Sequence, residues 1–296
     1  MKKTIATAQE TKRLMAKHQF HTKKKLGQNF LVDANIIQKI VAAAALDEAD
    51  IVVEIGPGMG ALTQQLAAVA GQVVAVELDA SLIPILQETF ADTPNITIQQ
   101  GDALKLDYEA LLAPIRQRGQ YRPGFVVVAN LPYYITTPIT MGLLESGASW
   151  RRLVLMVQKE VAQRMQAAPG GKDYGALSIG VQYRAAAEIA FLVPPTVFIP
   201  RPAVDSAVVV LERLAQPPVQ VADEALFFRL VQAGFAQRRK TLRNACSSGL
   251  QLEKSRLEQI FLQTGIDGGR RAETLSLAEL AKLTNAIQAQ IKDSDE

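Results

Sequence analysis

Asn130-Leu131-Pro132-Tyr133 follows an apolar run and puts an amide, a carbonyl in a stiff turn and an aromatic ring within four residues. That set suits one kind of chemistry. The exocyclic nitrogen of an adenine is a poor nucleophile because its lone pair is delocalised into the ring. Acceptors that hold its N–H hydrogens out of the ring plane localise the lone pair. The Asn130 side-chain oxygen and a neighbouring backbone carbonyl are acceptors of that kind. Pro132 lacks an N–H and stiffens the turn that carries the carbonyl. Tyr133 offers a face for a base to stack on, worth roughly 1–3 kcal/mol in single-strand binding. Held beside an electrophilic sulfonium, such an amine needs little beyond positioning. Taken alone, the four residues are also an ordinary strand-ending turn with a core tyrosine.

Three further places along the chain narrow the reading. Glu54-Ile55-Gly56-Pro57-Gly58-Met59-Gly60 stands between an apolar strand pattern and a helical one, the context of a nucleotide-cofactor loop. Its glycines let the turn close and the ligand approach the backbone. Glu77 ends the next strand, where a carboxylate can accept from both ribose hydroxyls. Asp102, after the third strand, can accept from the exocyclic amine of an adenine. Singly, each acid has a plain role as a helix cap or turn carboxylate, and the loop as a tight turn. Together they fit an adenosine-containing cofactor. The spacing G-x-G-x-G is one residue shorter than the dinucleotide pattern, so the balance tips from NAD to S-adenosylmethionine. The two histidines, His18 and His21, lack neighbouring ligand residues, and one cysteine, Cys246, excludes an intrachain disulfide and a Cys-rich zinc site. No metal is expected.

The elements that must position these residues alternate. Strands are expected over Ile51–Ile55, Gln72–Glu77, Asn95–Gln99, Phe125–Ala129 and Leu153–Val157. Helices are expected over Ala61–Ala70, Ala80–Phe90 and Pro138–Leu144. Such alternation argues for an α/β, doubly wound, Rossmann-like parallel sheet. Gly175–Arg184 and Ala203–Leu211 read as strands, suggesting a closing antiparallel hairpin. Beyond Gln216-Pro217-Pro218 the pattern turns helical over Ala222–Ala236, Arg239–Ser247, Glu253–Thr264 and Leu277–Ala289. The expected division is a basic flexible leader (1–25), a catalytic domain (26–215) and a small all-helical domain (216–296).

The 296 residues carry a net charge of only +3, with 48% hydrophobic residues. The charge is unevenly spread. Residues 1–30 hold eight Lys and Arg against one acid, Glu10, so the other 266 residues sum to −4. A second basic cluster, Arg229, Arg238, Arg239, Lys240 and Arg243, has no acid between Leu226 and Arg243. Concentrated charge of this kind fits a polyanion or a solvated surface. No apolar run reaches the ~18–20 residues of a membrane span, and the basic start lacks a signal-peptide core. A cytoplasmic protein is expected.

Six segments, in order along most of the chain, resemble the ribosomal RNA adenine N6-dimethyltransferases, on the small-subunit branch. They are Leu26-Gly27-Gln28-Asn29-Phe30-Leu31, Glu54-Ile55-Gly56-Pro57-Gly58, Glu77-Leu78-Asp79, Gly101-Asp102-Ala103, Asn130-Leu131-Pro132-Tyr133-Tyr134-Ile135 and Phe198-Ile199-Pro200-Arg201-Pro202. The resemblance implies a class I methyltransferase sheet with a helical rRNA-binding domain. It implies that Asn29, Leu31, Gly56, Glu77, Asp102 and Asn130 contact S-adenosylmethionine, with S-adenosylhomocysteine as product. It implies that Tyr133 and Phe198 sandwich a flipped adenine, while Asn130 and the Leu131 carbonyl accept from its amine. The implied substrate is a pair of adjacent adenines near the 3′ end of small-subunit rRNA, modified by a monomer acting on a pre-ribosomal subunit. Lys23, Lys24, Lys25, Arg201, Arg238, Arg239, Lys240 and Arg243 are the expected RNA contacts, with Arg151-Arg152 weaker candidates. A large-subunit adenine methyltransferase, an idle RNA-binding assembly factor and an NAD oxidoreductase are the alternatives. Two departures stand out: a long leader, and a long stretch over Leu112–Gly124 read as a surface addition.

Overall fold

A computed structural model describes residues 4–23 and 27–295. The chain divides into two compact units. One runs to Ala162 and resumes over Ala187–Arg213. The other holds Gln163–Ala186 and the chain from Leu214 onward.

The first unit begins with α1 (Ala8–Lys17), β1 (Phe30–Leu31) and α2 (Ala34–Ala44). Then come β2 (Ile51–Ile55), α3 (Ala61–Leu66), β3 (Gln72–Glu77), α4 (Ile83–Phe90) and β4 (Ile96–Gln100). After α5 (Tyr108–Arg116) follow β5 (Phe125–Asn130), α6 (Thr136–Glu145), β6 (Trp150–Gln158) and α7 (Lys159–Met165). The chain continues with α8 (Ala176–Gln182), β7 (Ala185–Val193), β8 (Phe198–Ile199) and β9 (Ser206–Arg213). The seven-stranded sheet has the order β4-β3-β2-β5-β6-β9-β7. From β4 to β6 neighbours are parallel, and β9 is antiparallel to β6. Strand residues alternate faces. Val52, Val126, Val128, Val154 and Met156 join one core with Ile37, Leu62 and Leu86, while Val53, Val127 and Leu155 are equally buried. Burial on both faces is why these strands read as continuous apolar runs. The order reverses between β2 and β5, so their carboxyl ends open a crevice.

Residues 4–23, expected within a flexible leader, are folded. Thr7 caps α1, accepting from the Glu10 amide at 3.2 Å, and Ile5, Leu14 and Phe20 are buried in the sheet's core. Leu112–Gly124 is more than a surface addition. Leu112 is buried, Arg122 bonds the buried carboxylate of Asp50 at 2.5 Å, and Arg151 pairs with the same carboxylate. Arg152 bonds the Ala44 carbonyl at 3.0 Å and Glu212 at 2.5 Å. Both arginines, expected as weak RNA candidates, are thus engaged at the amino ends of the strands, opposite the crevice.

The second unit adds α9 (Glu224–Ala236), α10 (Leu242–Leu250), α11 (Lys254–Thr264) and α12 (Leu277–Asp295). Asp223 caps α9 through the Leu226 amide at 2.8 Å, and Gly265 ends α11 in the left-handed region. Its core joins Leu226, Phe227, Leu230, Leu257, Ile260 and Leu283 to Tyr174, Ile179 and Tyr183. Gly175–Arg184, expected as a strand, is therefore helical as α8. A short apolar run reads as either element, and here Ser178 settles it by bonding the Gly175 amide and the Arg164 carbonyl. The neighbour of β9 at the sheet edge is β7, which follows α8 and precedes β9 in the chain. No helix among the described residues is long and apolar enough to cross a membrane.

Candidate active site

An open pocket lies at the carboxyl ends of β2, β3, β4 and β5. Glu54, Gly56, Glu77, Asp102, Asn130, Leu131, Pro132, Tyr133 and Phe198 all line it, as do Asn29 and Leu31. The fold thus brings residues as distant in sequence as Asn29 and Phe198 to one place.

The floor is the glycine loop. The Gly56 amide bonds the Val76 carbonyl at 2.9 Å, fastening the loop to β3. Gly58 sits at φ +58°, and a Cβ there would stand 2.8 Å from the Phe30 ring. Glycine is required twice over, by backbone angle and by close approach. Glu77 holds the loop from the side, accepting from the Asp79 amide at 2.8 Å and the Gly58 amide at 3.4 Å. Burial raises its carboxyl above the usual range, and these two amides pull against that rise. Glu54 is fully buried, and burial pushes it up to about 8. Both carboxyls are therefore raised by burial, and at Glu77 two backbone amides work against the rise. Asp102 is partly exposed and accepts from the Leu104 amide at 3.0 Å.

The roof is residues 27–32. β1 pairs antiparallel with β8, Phe30 opposite Ile199 and Leu31 opposite Phe198. The Val32 amide extends the ladder to the Val197 carbonyl at 2.9 Å. Phe20 meets Phe30 edge to face, 6.0 Å between ring centres. The roof reaches the reaction motif directly: the Asn130 amide nitrogen donates to the Asn29 carbonyl at 3.0 Å. That donation fixes the amide, so the Asn130 oxygen is the atom left to accept. Tyr133 is half-buried, its hydroxyl hydrogen-bonded to Ser206 Oγ at 2.8 Å. Phe198 is buried.

Three participants were not assigned a role from the sequence. Ser206, the anchor of Tyr133, is a lone serine at the start of β9. Gln28 and Asp79 stand in motifs yet show their role only when packed together: Asp79 accepts from Lys23 Nζ at 2.6 Å and Gln28 Nε2 at 2.9 Å. Burial raises the Asp79 carboxyl, and the bonds from Lys23, Ser81 and Gln28 outweigh it and hold it at about 2.

The expected RNA contacts do not line the cavity. Lys23 is ion-paired to Asp79, and Lys24 and Lys25 lie outside the described residues, as does Leu26. Arg201 is exposed. Arg238 pairs with Glu273 at 2.9 Å and bonds the Lys172 carbonyl at 2.8 Å. Arg243 pairs with Glu258 at 2.6 Å. Arg239 is exposed and Lys240 partly so.

Comparison with known proteins bears on the same residues. The family described as ribosomal RNA adenine dimethylase matches residues 19–289. Ribosomal RNA small subunit methyltransferase A of Moorella thermoacetica is 52% identical over 286 residues, covering 96% of this chain and 99% of that protein. Among solved structures, a dimethyladenosine transferase from Plasmodium falciparum superposes with a TM-score of 0.72 at 26% identity, covering 89% of this chain and 98% of that one. The 23S rRNA methyltransferase ErmE gives 0.65 at 26% identity, covering 88% and 99%.

Proposed function

The chain belongs to the ribosomal RNA adenine dimethylase family, and we propose that it methylates N6 of two adjacent adenines in a hairpin loop near the 3′ end of small-subunit rRNA, using S-adenosylmethionine. The small-subunit assignment is supported by relatedness: the relative named for that subunit is 52% identical, whereas the large-subunit enzyme ErmE is 26% identical.

The pocket suits the methyl donor. A cradle whose glycine a Cβ would fill, a buried carboxylate at a strand end and a second acid beyond the next strand match an adenosine moiety. Glu77 would take the ribose hydroxyls, Asp102 the adenine amine, and Gly56, Asn29, Leu31 and Asn130 the remaining contacts. When bound, this group supplies a methyl on a positively charged sulfur. The protein's own part is to present the acceptor nitrogen. Tyr133 and Phe198 hold the target base between two faces, the first anchored by Ser206. The Asn130 oxygen and the Leu131 carbonyl accept the N6 hydrogens and turn the lone pair toward the methyl. The nitrogen would take the methyl as its bond to sulfur breaks, leaving S-adenosylhomocysteine, and would lose one hydrogen as a proton. The singly methylated amine keeps one N–H for Asn130, so a second transfer can follow the same route. The observation that carries this reading is the fixed Asn130 amide at the carboxyl end of β5.

In this reading the enzyme is a cytoplasmic monomer acting on a pre-ribosomal small subunit. Residues 216–296 grip the rRNA through Arg238, Arg239, Lys240 and Arg243, and Arg201, Lys24 and Lys25 contribute from the first unit. The test is incubation with labelled S-adenosylmethionine and undermethylated small subunits or naked rRNA, followed by digestion to nucleosides. Dimethyladenosine is expected from wild type, and none from Asn130→Ala at an unchanged melting temperature. Its absence from every substrate with wild type rejects the function.

A further inference from the structure

Asp79 takes no part in the methyl transfer itself, yet its carboxylate is almost wholly buried, 1% exposed. A buried carboxylate is costly unless donors surround it. Two donors are local, the Ser81 amide at 3.0 Å and the Ser81 hydroxyl at 2.6 Å. These would suffice for an acid that only shapes the turn before α4. The other two come from more than 50 residues away: Lys23 Nζ and Gln28 Nε2, on different oxygens. Gln28 is held at its other end as well, its Oε1 accepting from the Lys23 amide at 2.8 Å. The next residue is Asn29, whose backbone carbonyl accepts from Asn130 and whose side-chain Nδ2 donates to the Gly27 carbonyl at 3.1 Å. Between the Asp79 carboxylate and the Asn130 amide lie only Gln28 and Asn29.

We propose that Asp79 is a positioning residue of the methyltransferase: by seating Gln28 and Lys23 it sets the height of the roof, and thereby aims the Asn130 amide that the roof carbonyl holds. The step from amide to rate rests on the function proposed above; the seating of the roof does not. The proposal also assigns Lys23 to the roof, its charge matched by Asp79, in place of an RNA phosphate.

An exchange of partners tests it. Asp79→Asn sets two amides against each other and strands the Lys23 charge. Gln28→Glu sets two carboxylates together. In the double variant the amide donates from the other side, the carboxylate receives Lys23, and the net charge is that of wild type. Two readouts apply: amide hydrogen exchange over residues 27–32 in the cofactor-free protein, and single-turnover methylation of rRNA. Each single variant should raise exchange and lower the rate by about tenfold at an unchanged melting temperature, and the double variant should recover most of both. Singles that exchange and react as wild type overturn the proposal, as does a double variant no better than the worse single. If wild type forms no dimethyladenosine, the proposed function fails, and the exchange measurement still decides whether Asp79 seats the roof.

Discussion

Glu54, the penultimate residue of β2, is almost wholly buried. Burial pushes its carboxyl up to about 8, and the charge of Glu77 adds to the rise. Unfolded, the same group returns to its ordinary value of 4.5. The folded state therefore holds a proton that the unfolded state gives up between those values. The stabilisation is complete below pH 4.5 and is lost as pH rises toward 8. Glu54→Gln keeps the shape and removes the titration. It is expected to flatten the fall in stability across that window, whose slope from one group is at most about 1.4 kcal/mol per pH unit. Urea midpoints of wild type and variant, measured near the two ends of that window, read this directly; parallel falls would reject it. Residue identities here were legible in the sequence because carboxylates, an amide and glycines at strand ends have few uses. How far burial raises each acid was not legible, because that depends on how much water each one sees.

Among the elements, the site depends most on a two-residue strand. β1 is too short to stand alone; it persists because β8 pairs with it and the glycine loop packs beneath it. Gly58→Ala places a methyl 2.8 Å from the Phe30 ring and puts an alanine at a left-handed angle. The ring must move, and the loop amide that reaches Glu77 moves with it. Affinity for S-adenosylhomocysteine should fall by about tenfold or more, a cost of roughly 1–3 kcal/mol for strained backbone and displaced packing. Calorimetric titration checks it, and wild-type affinity in the variant would show that the packing there is slack. The parallel strands were readable from their apolar runs. α8 was not, since six of its seven residues are apolar or small and fit either period. β1 and β8 were not either, since neither is long enough to have a period.

Over the full chain, charge behaves differently from its sequence tally. The run from Leu226 to Arg243 contains no acid, yet Arg238 and Arg243 find Glu273 and Glu258 from later segments. Arg239 and Lys240 have no ion pair among the described residues, so they are the sounder probes of nucleic-acid binding. Arg239→Glu with Lys240→Glu should weaken rRNA binding. The slope of log affinity against log salt should become shallower by about one for each phosphate no longer neutralised. Cofactor affinity should be unchanged. Equal binding to rRNA across a salt series by wild type and variant would remove these residues from the interface.

The α/β sheet, the order of its motifs and the family could all be read along the chain, because strand periodicity and motif spacing are local properties. The amide at Asn130, the acids at Glu77 and Asp102 and the glycines after β2 suggested a chemistry only when taken together, each having a plain structural role by itself. Folding had to decide that a leader segment is part of the core, that Lys23 belongs to Asp79, that Ser206 holds Tyr133 and that Asn29 holds Asn130. The last three pairings join residues 56 to 101 positions apart. Side chains so far apart in sequence meet only after the sheet has set where each strand ends, and their hydrogen bonds depend on that meeting rather than on any pattern along the chain.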